Sequence, residues 1–345
     1  MASLTVNKQI ITTSKVLQNI TAQDVALSGS TDEFDWLLAA DGHGGNSNRH
    51  AIKNLFNEID WGELLTNPDF FKDDKDEEDN YKNELYSKIY ELAGKDDPRY
   101  SNLVAFGTTL SIVKIYDDRF ECYHIGDSTI KIYENDKDDI EKYTKRMESD
   151  DHNTMHSDME TLKLRTGGGS HACRSNWFHK FEPIPNGVRT NDVFAPLVLD
   201  DKTVTMRQSA YVSFDDGSVI NMTRSLGHIP SKGMVARAKQ NNHAMSLAQQ
   251  SLTKVIIPRN PNKNYCILAA TDGLWDMAYD GDDTFFTKTI SEEGEEAAEK
   301  IATFARERWL QEWNYCFRNL TEKITQSERH IDDVGVSCAF IPPIA

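Results

Sequence analysis

Long apolar runs are missing from this chain. No stretch approaches the roughly 20 residues that a bilayer-spanning helix needs, and residues 1–19 hold no apolar core of a leader peptide. Paired cysteines are missing too. The count is 5, an odd number, and no two stand at C-x-x-C spacing. Cys122, Cys266 and Cys338 lie inside apolar runs and read as reduced core residues, which excludes a disulfide framework and leads us to expect a cytosolic or nuclear protein. Positive charge is scarce: 38 Lys and Arg face 55 Asp and Glu, a net charge of −17. So acidic a chain repels phosphate backbones and anionic lipid, which argues against nucleic acid or a membrane as partner. An anionic substrate would need local positive charge, from a metal or a few basic side chains. What remains is a soluble globular composition, 39% hydrophobic and 27% charged over 345 residues, ample for a buried core.

Strand patterns dominate. Residues 34–40 (FDWLLAA) form a nearly continuous apolar run that stops at Asp41-Gly42. Residues 110–116 and 120–125 flank the polar turn Asp117-Asp118-Arg119 and predict a β-hairpin. The second of these stops at Gly126-Asp127, and residues 129–133 (TIKIY) start another strand. Residues 265–271 stop at Asp272-Gly273, and residues 334–341 begin just after Asp332-Asp333. Helical spacing links Ala51, Leu55, Phe56 and Ile59, then Leu85, Ile89 and Leu92, then Ala297, Ile301, Phe304, Ala305 and Trp309. Residues 72–79 (KDDKDEED) lack the order of a calcium loop and read as a solvated loop between helices. Residues 143 to about 216 show weak periodicity and three consecutive glycines, the mark of a functional loop or an inserted subdomain. Hairpin-joined strands set apart from helices predict an α+β fold with antiparallel sheets.

Asp41, Asp127 and Asp272 each end an apolar strand beside a glycine, and Asp332 immediately precedes one. In antiparallel sheets the end of one strand lies beside the start of its neighbour, so the four aspartates are predicted to meet on one sheet edge. Carboxylates that close repel unless a cation or raised pKa values relieve them. An all-oxygen cluster suits Mg²⁺ or Mn²⁺ better than zinc. His171, Cys173 and His179 lack a fourth ligand and do not make a zinc site.

These residues form an ordered set that resembles the metal-dependent protein phosphatases of the 2C type. Asp41-Gly42-His43-Gly44-Gly45 resembles that family's strand-then-DGHGG signature. Gly107-Thr108-Thr109, Gly126-Asp127-Ser128, Asp151-His152 and Gly167-Gly168 resemble its next motifs in order. Thr223-Arg224-Ser225-Leu226-Gly227, Thr271-Asp272-Gly273-Leu274-Trp275-Asp276 and Asp332-Asp333-Val334 complete the series, over about residues 20–341.

The resemblance implies a four-layer α-β-β-α sandwich with two central antiparallel sheets. It implies one phosphatase-like domain over residues 1–345, with a flap insertion at about 150–220 and a helical insertion at about 231–252. Asp41 would bridge two Mg²⁺ or Mn²⁺ ions, and Gly42 would offer its carbonyl oxygen. Asp24 would hold or orient the first ion, and Asp272 and Asp332 the second. Asp127, with Asp272, would serve a weaker third. A water bridging the ions would attack a phosphoserine or phosphothreonine of a protein substrate, His43 would protonate the departing alkoxide, and the enzyme would act as a monomer.

Three departures weigh on that reading. Asn19 stands where the family has a phosphate-gripping arginine, Gln23-Asp24 replaces Glu-Asp, and Gly227-His228 replaces Gly-Asp. Loss of a bidentate cation removes charge-assisted hydrogen bonds to phosphate. Either phosphate affinity is weakened or another basic residue takes the role, with Lys15 and Arg174 the candidates. Two further readings therefore stay open: a pseudophosphatase that uses the fold as a binding module, and a phosphoesterase for small molecules. Trp177 and Phe178 are expected to touch a protein substrate or to anchor the flap, and Trp309, Trp313 and Phe317 to belong to the core.

Overall fold

A computed structural model describes residues 10–44, 51–68, 70, 74–75, 81–82, 106–136, 142–152, 170–178, 197–199, 202–204, 206–214, 219–220, 222, 224–227, 252–279, 281–317 and 320–344. Two five-stranded antiparallel sheets form its centre. The first runs in the order Thr253–Pro258, Arg119–Ile125, Leu110–Ile115, Asp35–Ala40, Val25–Ser30. The second runs Ile11–Leu17, Val334–Ile341, Lys263–Ala270, Thr129–Asp136, Thr144–Glu148.

The side-chain pleat shows how the layers stack. Along a strand, successive residues face opposite sides. Leu37, Ala39, Val113, Phe120 and Cys122 of the first sheet pack with Ile130, Ile132, Ile267, Ala339 and Ile341 of the second in one cluster between the sheets. The alternate residues face outward. Trp36, Leu38, Leu110 and Ile112 meet Leu55 and Phe56 of α1 (Ala51–Glu58) and Leu64 and Leu65 of α2 (Trp61–Thr66). Cys266, Leu268, Val336 and Cys338 meet three further helices: α3 (Asp272–Trp275), α4 (Asp283–Glu292) and α5 (Ala297–Leu310). The result is the four-layer α-β-β-α sandwich. It also explains why the central strands read as unbroken apolar runs: both faces of each sheet are covered.

The four edge strands of these two sheets escaped the sequence pattern. Thr144–Glu148 (TKRME) is an edge strand with mostly exposed side chains, so it carries no apolar alternation. Ile11–Leu17, Val25–Ser30 and Thr253–Pro258 are also edge strands and mix polar residues into both faces. Residues 143–216 contain more order than a loop. Ser170–Phe178 pairs with Met206–Phe214 in a nine-residue antiparallel ladder. That ladder belongs to a third five-stranded sheet, ordered Val219–Ile220, Met206–Phe214, Ser170–Phe178, Glu312–Phe317, Leu320–Thr325.

The last two strands lie beyond α5, so Trp309, Trp313 and Phe317 do not share one helical stripe. Trp309 is on the helix, and Trp313 and Phe317 are on a strand. Trp313 is 2% exposed and does belong to the core. Within the acidic run of residues 72–79, Asp74–Lys75 pairs with Tyr81–Lys82 as a short antiparallel bridge, so part of that run is strand. The helix predicted around Leu85, Ile89 and Leu92 lies outside the described residues, as do most of 231–252. Among the described residues no helix is long and apolar enough to cross a membrane.

Candidate metal centre

Strand register brings the aspartates together. Val25 pairs with Ala40, so Asp24 and Asp41 are neighbours at one end of the first sheet. Thr129 pairs with Ala270, and Ala270 with Val336, so the turn carrying Asp127, the start of α3 at Asp272 and the segment carrying Asp332 meet at the same end of the second sheet. One carboxylate oxygen from each of Asp41, Asp127 and Asp272 lies within 4.8 Å of the other two.

Electrostatics tie the remaining carboxylates to that trio. Asp41 is pushed well above the usual carboxylate range, first by burial and then by the charges of Asp272, Asp24, Asp332 and Asp127. Asp332 is pushed up by burial, Asp272 and Asp24. Asp24 is pushed up by burial, then by Asp333 and Asp272. Asp24 is 2% exposed, and its Oδ2 is buried without a hydrogen bond. A buried acceptor atom left without a donor is costly in a protein interior. Hard oxygen donors, mutual repulsion and a buried acceptor on a neighbouring carboxylate together fit a hard divalent cation.

Neutral groups hold the carboxylates in place. Thr109 Oγ1 accepts from the Asp41 backbone N–H at 2.8 Å, and Thr109 N donates to Asp41 O at 2.8 Å. The same hydroxyl bonds Ser128 Oγ, which follows Asp127, and Ser111 Oγ donates to the Ser128 carbonyl. Gly126 has φ 93°, in the left-handed region, and a Cβ there would run into Thr109. His152 closes this turn from the other side: Gly126 N donates to His152 Nδ1 at 3.1 Å, and His152 N donates to Gly126 O at 2.9 Å. On the opposite flank, Gly335 N donates to Thr271 Oγ1 at 2.9 Å and Thr271 N donates to Gly335 O at 3.0 Å. These bonds pin the residue before Asp272 to the strand that follows Asp332.

Gly42 is buried, and a Cβ on it would meet the Gln23 carbonyl at 2.9 Å. His43 is half-buried on the short strand Gly42–Gly44, in register with Gly107. The predicted residues Asp24, Asp41, Gly42, His43, Asp127, Asp272 and Asp332 thus gather at one end of the sandwich. Thr109, Thr271 and Asp333 carry the supporting bonds. All three sit inside or beside the sequence motifs, yet a sequence motif does not say which hydroxyl bonds which backbone.

The positions that depart from the family pattern have new partners. Asn19 N donates to Asp333 Oδ1, and Asn19 Nδ2 donates to the Ile331 carbonyl. Lys15 Nζ pairs with Glu299 Oε1 at 2.9 Å on the outside of the sandwich, so it is bound to α5 and not to the cluster. Arg174 lies on the third sheet, and His228 lies outside the described residues. His171 and Cys173 lie on the strand Ser170–Phe178, and His179 lies outside the described residues.

The chain shares its fold with a phosphatase. A serine-threonine phosphatase 2C from Toxoplasma gondii matches 96% of this chain over 94% of its own, with TM-score 0.51 and 14% identity. A C. elegans sex determining protein matches 97% of this chain with TM-score 0.49 and 16% identity, and the chain spans 65% of that protein's length. No model of a known protein family matches the sequence, and no curated protein does. At such identities the likeness is one of fold.

Proposed function

We propose that this protein is a Mg²⁺- or Mn²⁺-dependent phosphatase that hydrolyses phosphoserine and phosphothreonine on proteins. The observation that carries this reading is the convergence of Asp41, Asp127 and Asp272 oxygens within 4.8 Å, with Asp24 and Asp332 electrostatically coupled to them. Two bound cations would supply an activated water and neutralise charge on the phosphoryl group.

The chain's own residues divide the remaining work. Asp41, central to the cluster, would face both ions, with Asp24 and the Gly42 carbonyl on one side and Asp272 and Asp332 on the other. Asp127 would share a weaker third ion with Asp272. The cluster by itself repels a phosphate, so substrate affinity rises only as cations fill it. His43 follows directly after the Asp41-Gly42 pair and is fixed by its strand, which suits it to give a proton to the departing serine or threonine oxygen.

A binding-module reading has one observation in its favour. The Asn19 amide is committed to the Ile331 carbonyl, so this position offers no cation to a phosphate. Turnover on a phosphopeptide in Mn²⁺ separates the two readings. We expect hydrolysis that EDTA abolishes and that Asp272→Ala lowers by at least about 100-fold. Mn²⁺ binding seen by calorimetry with turnover at buffer level would overturn the enzyme reading in favour of the binding module.

A further inference from the structure

Asp333 is a buried carboxylate, 1% exposed, to which the proposed chemistry gives no task. Its surroundings differ from those of its neighbours. Oδ1 accepts from the Asn19 backbone N–H, and Oδ2 accepts from Thr21 Oγ1 at 3.0 Å and from the Gln23 backbone N–H at 2.7 Å. All three donors lie on the segment that leads into Asp24, more than 300 residues away along the chain. That segment contains Ala22 at φ 48°, the one non-glycine residue at positive φ among the described residues. A side chain in the left-handed region is strained and persists only where surrounding bonds hold it. The bonds on either side of Ala22, at Thr21 and Gln23, both end on Asp333 Oδ2.

The backbone of Asp333 faces the cluster as well. Its N–H donates to Asp332 Oδ1 at 2.9 Å. Its carbonyl oxygen would lie 1.8 Å from a Cβ at position 273, so only glycine after Asp272 lets the two segments approach this closely. One residue therefore touches the segment before Asp24, the side chain of Asp332 and the turn after Asp272.

We propose that Asp333 is a positioning residue for the metal centre: its carboxylate locks the Asn19–Gln23 segment through a strained Ala22, which sets Asp24 against Asp41, Asp272 and Asp332. The effect on metal affinity rests on the functional reading above, whereas the lock itself does not. An Asn at this position keeps the size but turns an NH₂ toward donors on one side. The Gln23 and Asn19 backbone N–H groups are fixed, so one of them loses its acceptor. Groups that orient metal ligands typically change affinity by about 10- to 100-fold when removed.

The test has a metal-free arm and a metal arm. In EDTA, amide hydrogen exchange at Asn19 or Gln23, whichever loses its acceptor, should accelerate at least about tenfold in Asp333→Asn relative to the core strands. Mn²⁺ affinity by calorimetry should fall about tenfold in Asp333→Asn. Thr21→Val, a milder change that removes one donor, should lower it about threefold. Unchanged exchange at Asn19 and Gln23 in folded Asp333→Asn overturns the lock. Faster exchange with unchanged Mn²⁺ affinity overturns the positioning role and leaves a purely structural one. A wild-type protein that binds no Mn²⁺ defeats the functional reading instead, and the exchange arm still decides whether Asp333 holds the segment.

Discussion

Replacing Thr109 by Val tests whether a single hydroxyl holds two halves of the centre together. The substitution keeps shape and volume and removes only Oγ1. Thr109 is fully buried, and that oxygen serves the Asp41 backbone N–H and Ser128 Oγ. Ser128 is 1% exposed, so its hydroxyl has no water to turn to. Each polar group deprived of its partner costs about 1–3 kcal/mol, so loss of both bonds should cost about 2–6 kcal/mol. That is a large share of the roughly 5–15 kcal/mol by which domains are stable. Urea unfolding in EDTA, followed by tryptophan fluorescence, should show a midpoint lower by about 1 M. Thr109→Ser is the control: it keeps the hydroxyl and loses only the methyl that lies against Gly126, so it should recover most of the stability. If Val and Ser lowered the midpoint equally, packing and not the hydroxyl would be responsible, and the hydrogen-bond reasoning would fail. A Val variant as stable as wild type would refute it outright.

Two further outcomes follow from the same geometry. Gly273→Ala forces a Cβ to within 1.8 Å of the Asp333 carbonyl, where neither backbone segment yields cheaply, so it should lower thermal stability in EDTA by more than about 3 kcal/mol and weaken Mn²⁺ binding; a stable variant with wild-type affinity would show that α3 and Asp333 are not packed as described. Asp151 is pushed up to about 7, first by burial, against a stabilising hydrogen bond from Thr129 Oγ1 at 2.7 Å. Its unfolded counterpart ionises near pH 4, so between about 4 and 7 the folded state binds the extra proton. Stability in EDTA should therefore fall as pH rises through that window, by about 2–4 kcal/mol from this group, and then level off. Asp151→Asn should flatten the decline between pH 5 and 7.5, and an equally steep decline in the variant would remove Asp151 as its source.

Much of the architecture was legible because buried sheets announce themselves. Residues covered on both faces must be apolar at every position, so the runs around Asp35–Ala40, Leu110–Ile115, Lys263–Ala270 and Val334–Ile341 stood out, the last with its bounds correct. Edge strands carry no such mark, since one side of each meets solvent or a loop, and Thr144–Glu148 went unseen for that reason. The sheet joining Ser170–Phe178 to Glu312–Phe317 was illegible on other grounds: its strands come from segments some 140 residues apart, and pairing partners at that distance leave no local trace. The aspartates were legible because a charged residue at the end of an apolar strand has few structural excuses. Their supports were not. That Thr109 bonds Asp41 while Thr271 bonds Gly335 depends on register between strands, which a motif does not contain.

Asn19 has a second role that the sequence alone does not show. Judged by composition, it is a lost cation and a weakened phosphate clamp. In the folded chain its side chain ties the segment to Ile331 and its backbone ties it to Asp333. An arginine there would give up the first of these bonds, so restoring positive charge would also disturb the segment that carries Asp24. Phosphate binding and ligand placement are thus coupled at this position. The carboxylates of Asp24, Asp41 and Asp332 are burdened by one another's charge, whereas that of Asp333 is met by three donors from one segment. The same side-chain type does opposite work in one centre: crowded by other carboxylates it invites a cation, and met by three donors it becomes an anchor. Which of the two a given aspartate becomes is decided by the backbone N–H groups aimed at it, and those are set by the strand ends on which the segments turn.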